Sequence, residues 1–178
     1  MKRFLLATLF VLTLTLSACT PVESGPDDDT DTDAGAAQLD IFYTNDNHGS
    51  ILRGDDTLGL AYMANLMTTT KEENPDSTLI LDGGDALQGS AMSNYYEGES
   101  YIELMNAIGY DAMVVGNHEF DWGLETVTAY FDGDSDNGEA DFPLLGANII
   151  DESTGEIPEH IDPYTVVEKA GRTIGIIG

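Results

Sequence analysis

From Leu39 to Gly178, short apolar and β-branched runs alternate with stretches whose apolar residues recur at helical spacing. This alternation narrows the choice of fold more than any other feature. Leu39–Thr44, Thr78–Leu81, Ala112–Val115 and Leu144–Ile149 read as strands. Between the first two, Leu58, Tyr62 and Leu66, with Met63 and Met67, recur as a helix requires. Ser100-Tyr101-Ile102-Glu103 has the form of a capping box; Ile102, Met105 and Ile108 form the inward stripe behind it, and Gly109 suits the end of that helix. Leu124, Val127 and Phe131 suggest another helix. Repeated strand–helix–strand units return each strand parallel to the one before, so a layered α/β domain with a largely parallel sheet is expected. Tyr164–Glu168 and Thr173–Ile177 read as a closing hairpin. Ile174–Gly178 has the look of a buried strand with nothing after it, so the domain is expected to be truncated on its C-terminal side.

Polar residues gather where three of these strands end: Asn45-Asp46-Asn47-His48-Gly49, Asp82-Gly83-Gly84-Asp85 and Gly116-Asn117-His118-Glu119-Phe120-Asp121. In an open α/β sheet the carboxyl ends of the strands share one crevice, so the clusters should meet in space. Together they offer carboxylates, imidazoles and an amide oxygen, a donor set suited to zinc, manganese, iron or cobalt rather than calcium. Taken singly, Asp46 reads as a turn residue, His48 as a surface histidine and Asn117 as part of an ordinary turn; the three clusters in this order make the case. Asp82 reads as a turn cap, Glu119 as a residue holding its loop, and Phe120, Trp122 and the Tyr95-Tyr96 pair as packing residues. The acidic segment Asp132–Gly138 fails the calcium-loop pattern, with Asn137 at the sixth position and Pro143 at the twelfth.

The segments TNDNHG, LDGGD and GYDAMVVGNHEFDWG, with FPLLGANI and GRTIGIIG beyond them, resemble the calcineurin-like metallophosphoesterases and, among these, the 5′-nucleotidase branch. The resemblance runs from about Leu39 to Gly178. It implies a four-layer αββα domain with two divalent metal ions of the zinc, manganese or cobalt type, and a nucleotide as substrate. It also implies that Asp46 and His48 bind the first metal, that Asp85 bridges both, and that Asn117 binds the second through its side-chain oxygen. His118 would be the catalytic histidine, with Asp121 as its partner. The family's later Gly-His and Gly-His-x-His motifs have no counterpart among the three histidines His48, His118 and His160, so weak metal binding and little turnover are expected of these 178 residues alone. Other members of such a family cleave 2′,3′-cyclic nucleotides or nucleotide sugars, and a non-catalytic binding lipoprotein is the reading from outside the enzymes.

The N-terminal segment reads as address and tether. Met1-Lys2-Arg3 precedes a mostly apolar run from Phe4 to Ala18, too short to span a bilayer comfortably, and Leu16-Ser17-Ala18-Cys19 resembles the lipobox of bacterial lipoproteins. The expectation is a signal peptide over residues 1–18 and a lipidated Cys19. An acidic, disordered spacer would then reach to residue 38, holding the protein at the outer membrane or periplasmic face of the cell envelope. The metallophosphoesterase portion would occupy 39–178. Composition excludes other partners. With 33 acidic residues against 6 Lys and Arg, and a formal net charge of −27, the chain lacks the cations that displace counterions from a nucleic-acid polymer. Anionic membrane surfaces would repel it, leaving the lipid on Cys19 as its membrane contact.

Overall fold

The computed structural model describes residues 37–178 apart from positions 56, 135 and 137. The signal segment, Cys19 and nearly all of the acidic spacer lie outside these residues. Strands β1 (Asp40–Thr44), β2 (Thr78–Asp82), β3 (Ala112–Val114) and β4 (Leu144–Leu145) form one sheet in that order, every neighbouring pair parallel. Helix α1 (Leu60–Glu73) links β1 to β2, α2 (Ala91–Tyr95) and α3 (Glu99–Ile108) link β2 to β3, and α4 (Leu124–Thr128) precedes β4. Single 3₁₀ turns cover His118–Phe120 and Ala129–Phe131. Because spatial order follows chain order, the loops leaving β1, β2 and β3 emerge side by side.

The side chains of Phe42, Ile80, Met113 and Leu144 point to one face of the sheet, where they pack with Leu60 and Met67 of α1 and Tyr101, Ile102 and Met105 of α3. Strand periodicity of two puts Leu79, Ala112 and Leu145 on the opposite face, where they are also buried. On that face the outermost strand is open: Ile41 and Tyr43 are 59% and 63% exposed. A hairpin of β5 (Tyr164–Lys169) and β6 (Arg172–Ile177) forms a second, two-stranded sheet. The ammonium of Lys169 lies 3.4 Å from the Asp111 carboxylate, and the Ala147 N–H donates to the Gly178 carbonyl at 3.1 Å.

Several local expectations differ from what forms. Helix α1 starts at Leu60 and buries Leu60 and Met67, leaving Leu58, Tyr62 and Leu66 exposed. Both sets satisfy a 3.6-residue period, and the sheet takes the one that faces it. The capping box at Ser100 is absent because α3 begins two residues earlier: Glu99 is already helical, and Gly98, in a left-handed conformation, occupies the N-cap without a side-chain bond. Its C-terminal end matches, with Gly109 left-handed after Ile108. The strand anticipated over 144–149 pairs only at Leu144 and Leu145. Finally, β6 is not a buried strand. Ile177 is 75% exposed, and Tyr164 and Val166 on the same face of β5 are also open, since nothing among the described residues covers that face.

Candidate metal centre

The pairing of β1 with β2 continues beyond both strands into their loops. Asp46 N–H donates to the Gly84 carbonyl at 3.0 Å, His48 N–H to Asp85 at 2.9 Å and Gly49 N–H to Ala86 at 2.7 Å. This ladder sets the first two polar clusters in register, with Asp46, His48 and Asp85 each held at positive φ (52°, 49° and 52°). The third cluster closes on them through a backbone contact that only glycine permits. A Cβ at Gly84 would lie 2.6 Å from the Gly116 nitrogen, and one at Gly116 would lie 2.3 Å from Asp85 Oδ1.

Glu119 locks the two loops together. Its carboxylate is fully buried and accepts from the N–H groups of Asp85 (2.9 Å), Ala86 (2.9 Å) and Gly116 (2.8 Å), with Leu87 at 3.4 Å. One side chain of the third cluster therefore satisfies the orphan donors of the second. Its neighbour His118 is fixed from two sides: its backbone N–H donates to Asp85 Oδ1 at 2.8 Å, and its ring Nδ1 lies 2.8 Å from Asp121 Oδ2. A carboxylate can only accept, so Nδ1 carries the proton and Nε2 faces away from Asp121. That hydrogen bond, helped by the negative charges of Asp121, Asp85 and Glu119, raises the His118 pKa above its ordinary value, although desolvation pulls the other way.

The outcome is a convergence of three donors. Atoms of His48, Asp85 and His118 all lie within 4.8 Å of one another, and the two imidazoles meet edge to face at 5.0 Å. Imidazole and carboxylate donors at this separation form a group able to hold a divalent metal ion. Asp46 sits on the same loop, but its carboxylate is engaged by the Asn45 side-chain amide and falls outside the three-donor group. Asn117 is exposed between Gly116 and His118, and its side chain makes no hydrogen bond among the described residues.

Beneath the site lies Asp82, 1% exposed, which accepts from Thr44 Oγ1 at 2.6 Å and from the Gly84 N–H at 2.9 Å. Burial raises its pKa to about 6 although these hydrogen bonds pull the other way. It supports the loop and, as the sequence suggested, is not one of the converging donors. Other residues behave less as expected. Tyr95 and Tyr96 do not pack inward but stand 79% and 52% exposed, ring against ring, and Phe120 is 44% exposed. A cavity of about 780 Å³ runs past Phe120, Leu124, Ile149 and His160, and none of the three converging donors lines it.

The chain is 36% identical over 145 residues to a 5′-nucleotidase of Vibrio cholerae, covering 79% of this chain and 25% of that protein. Among solved structures, a 5′-nucleotidase precursor of Thermus thermophilus superposes with a TM-score of 0.63 at 29% identity, over 79% of this chain and 28% of the other. The chain belongs to the 5′-nucleotidase family of metallophosphoesterases. A calcineurin-like phosphoesterase of Bacillus subtilis, YfkN, shares the fold of this 5′-nucleotidase-family chain with a TM-score of 0.56 at 28% identity, over 78% of this chain and 46% of that one. No family model matches the sequence. This 5′-nucleotidase-family chain spans about a quarter of the length of the curated relatives it matches. Among its described residues no helix is long and apolar enough to cross a membrane.

Two features of the site have no sequence signal. The Nδ1 of His48 lies 3.1 Å from the Gln88 carbonyl, and the Asn94 amide brackets Gly89. A main-chain carbonyl is present at every position, so nothing in the residue string marks the one that a histidine will use.

Proposed function

We propose that the protein is a phosphoester hydrolase that uses two divalent cations of the zinc, manganese or cobalt type to release phosphate from nucleoside 5′-monophosphates. It would work at the cell envelope, held there by lipid on Cys19. The observation that carries this reading is the convergence of His48, Asp85 and His118 donors within 4.8 Å in a chain of this family. Asp46 and His48 would hold one cation and Asn117 the other, with the two oxygens of Asp85 shared between them. For Asp46 this means exchanging the Asn45 amide for the cation. Bound there, the cations supply concentrated positive charge beside the phosphate and a water of lowered pKa.

The protein's own groups do the rest. His118 presents Nε2, the nitrogen that Asp121 leaves free, to the phosphoryl group. Its raised pKa favours the imidazolium form, in which it can stabilise the transferring phosphate or protonate the departing oxygen. Glu119 keeps Asp85 and the His118 turn at a fixed separation, which spares the site from reorganising as charge develops. Protein purified from the cells that make it, loaded with Zn²⁺, Mn²⁺ or Co²⁺, is expected to release inorganic phosphate from AMP. Chelation or Asp85→Asn should reduce that release to background. Unchanged turnover in the Asp85→Asn protein would refute the assignment, whereas preferred cleavage of 2′,3′-cyclic AMP or a nucleotide sugar would keep the site and change the substrate.

A further inference from the structure

His48 can offer Nε2 to a cation only if its other nitrogen, Nδ1, carries the proton. The neutral ring has one proton to place, and the partner of Nδ1 decides where it sits. That partner is the Gln88 carbonyl at 3.1 Å, an acceptor, so Nδ1–H is the tautomer the fold selects. The Gln88 carbonyl belongs to the same planar peptide unit as the Gly89 N–H, and in a trans peptide the two point in opposite directions. Whatever holds the Gly89 N–H therefore aims the Gln88 carbonyl at His48.

The holder is Asn94, near the end of α2. Its Oδ1 accepts from the Gly89 N–H at 2.8 Å, and its Nδ2 donates to the Gly89 carbonyl at 3.2 Å. Such a restraint matters because this peptide is easy to turn over. Gly89 has φ +148°, and a Cβ there would lie 2.6 Å from the His48 Cβ, so the position is confined to the one residue type whose backbone rotates most freely. Were the 88–89 peptide to flip, it would direct an N–H rather than a carbonyl at His48 Nδ1. The ring would then move its proton to Nε2 and lose the lone pair that a cation needs.

We propose that Asn94 is a positioning residue that fixes the 88–89 peptide, thereby selects the Nδ1–H tautomer of His48, and keeps Nε2 available for a metal ion. The cation part of this statement rests on the function proposed above; the tautomer part does not. Two measurements separate them. Long-range ¹H–¹⁵N correlation spectra of the metal-free protein report which ring nitrogen of His48 is protonated, with the His118 signals as an internal control for the fold. Calorimetric titration with Zn²⁺ alone reports affinity. Asn94→Ala should shift His48 toward the Nε2–H form and weaken Zn²⁺ binding about tenfold, within the 10–100-fold range for residues that orient ligands. Asn94→Asp retains an acceptor for the Gly89 N–H and should keep both the tautomer and, within about threefold, the affinity.

An Asn94→Ala protein that keeps the Nδ1–H form would overturn the proposal, as would an Asn94→Asp protein that loses it; the second result decides even if the alanine variant does not fold. A changed tautomer with unchanged Zn²⁺ affinity would leave Asn94 as the selector of the ring form and overturn only the assignment of His48 as a ligand.

Discussion

Glu119→Gln is the substitution that tests most directly how the donor loops are held. The side chain keeps its shape and loses its charge and one acceptor. Either orientation of the amide sets an NH₂ against two backbone donors: Ala86 and Leu87 if it replaces Oε1, Asp85 and Gly116 if it replaces Oε2. The first is cheaper, because Leu87 is already at 3.4 Å, and it sacrifices one good hydrogen bond to a charged acceptor, worth roughly 1.5–3 kcal/mol. The two bonds that remain become neutral and weaken by roughly half. Relief from burying a charge offsets part of the loss, leaving a net cost of about 2–4 kcal/mol. For a domain of this size about 3 kcal/mol corresponds to a fall in Tm of roughly 6–12 °C. The assay is thermal unfolding followed by circular dichroism, with hydrogen exchange at the amides of Asp85, Ala86 and Gly116. A Tm within about 2 °C of the parent, with protection unchanged at those three amides, would refute the view that one carboxylate joins the loops.

Two more outcomes follow from single residues. Asp82 has its pKa raised from 3.8 to about 6, so the folded state binds its proton more tightly than the unfolded state and ionisation opposes folding. This penalty is absent below about pH 4, grows as pH rises through the interval between the two pKa values and is complete above it, at roughly 3 kcal/mol. Metal-free Asp82→Asn protein should therefore gain stability relative to the parent between pH 4 and pH 7 in urea titrations; an equal difference at both pH values would count against the buried ionisation. For the tether, Cys19→Ser should prevent incorporation of labelled palmitate and move the protein from the membrane pellet to the soluble fraction; palmitate labelling that persists would place the anchor elsewhere.

What could be read from residues alone was the part governed by periodicity and by strand ends. The four parallel strands, the inward stripe of α3 with its Gly109 terminus and the closing hairpin all follow from local patterns. The convergence of His48, Asp85 and His118 follows from topology, because loops after adjacent parallel strands must lie together. The misreadings share a cause. Helix α1 carries apolar residues on two faces, and only the sheet decides between Leu60 with Met67 and Tyr62 with Leu66. Gly98 displaces the capping box because a left-handed glycine starts α3 before Ser100 can. Such choices are made by competition among tertiary contacts, and a pattern of residue types does not rank them.

The left-handed backbone at Asp46, His48 and Asp85 has a consequence for how this protein can change. A side chain in that conformation costs roughly 1 kcal/mol relative to glycine, somewhat less for aspartate and histidine. Gly would relieve that strain at any of the three positions, but at His48 and Asp85 it would also remove the hydrogen bonds to the Gln88 carbonyl and from the His118 N–H. At His48 and Asp85, two of the three converging donors, the side chain and its strained backbone are therefore kept or lost together.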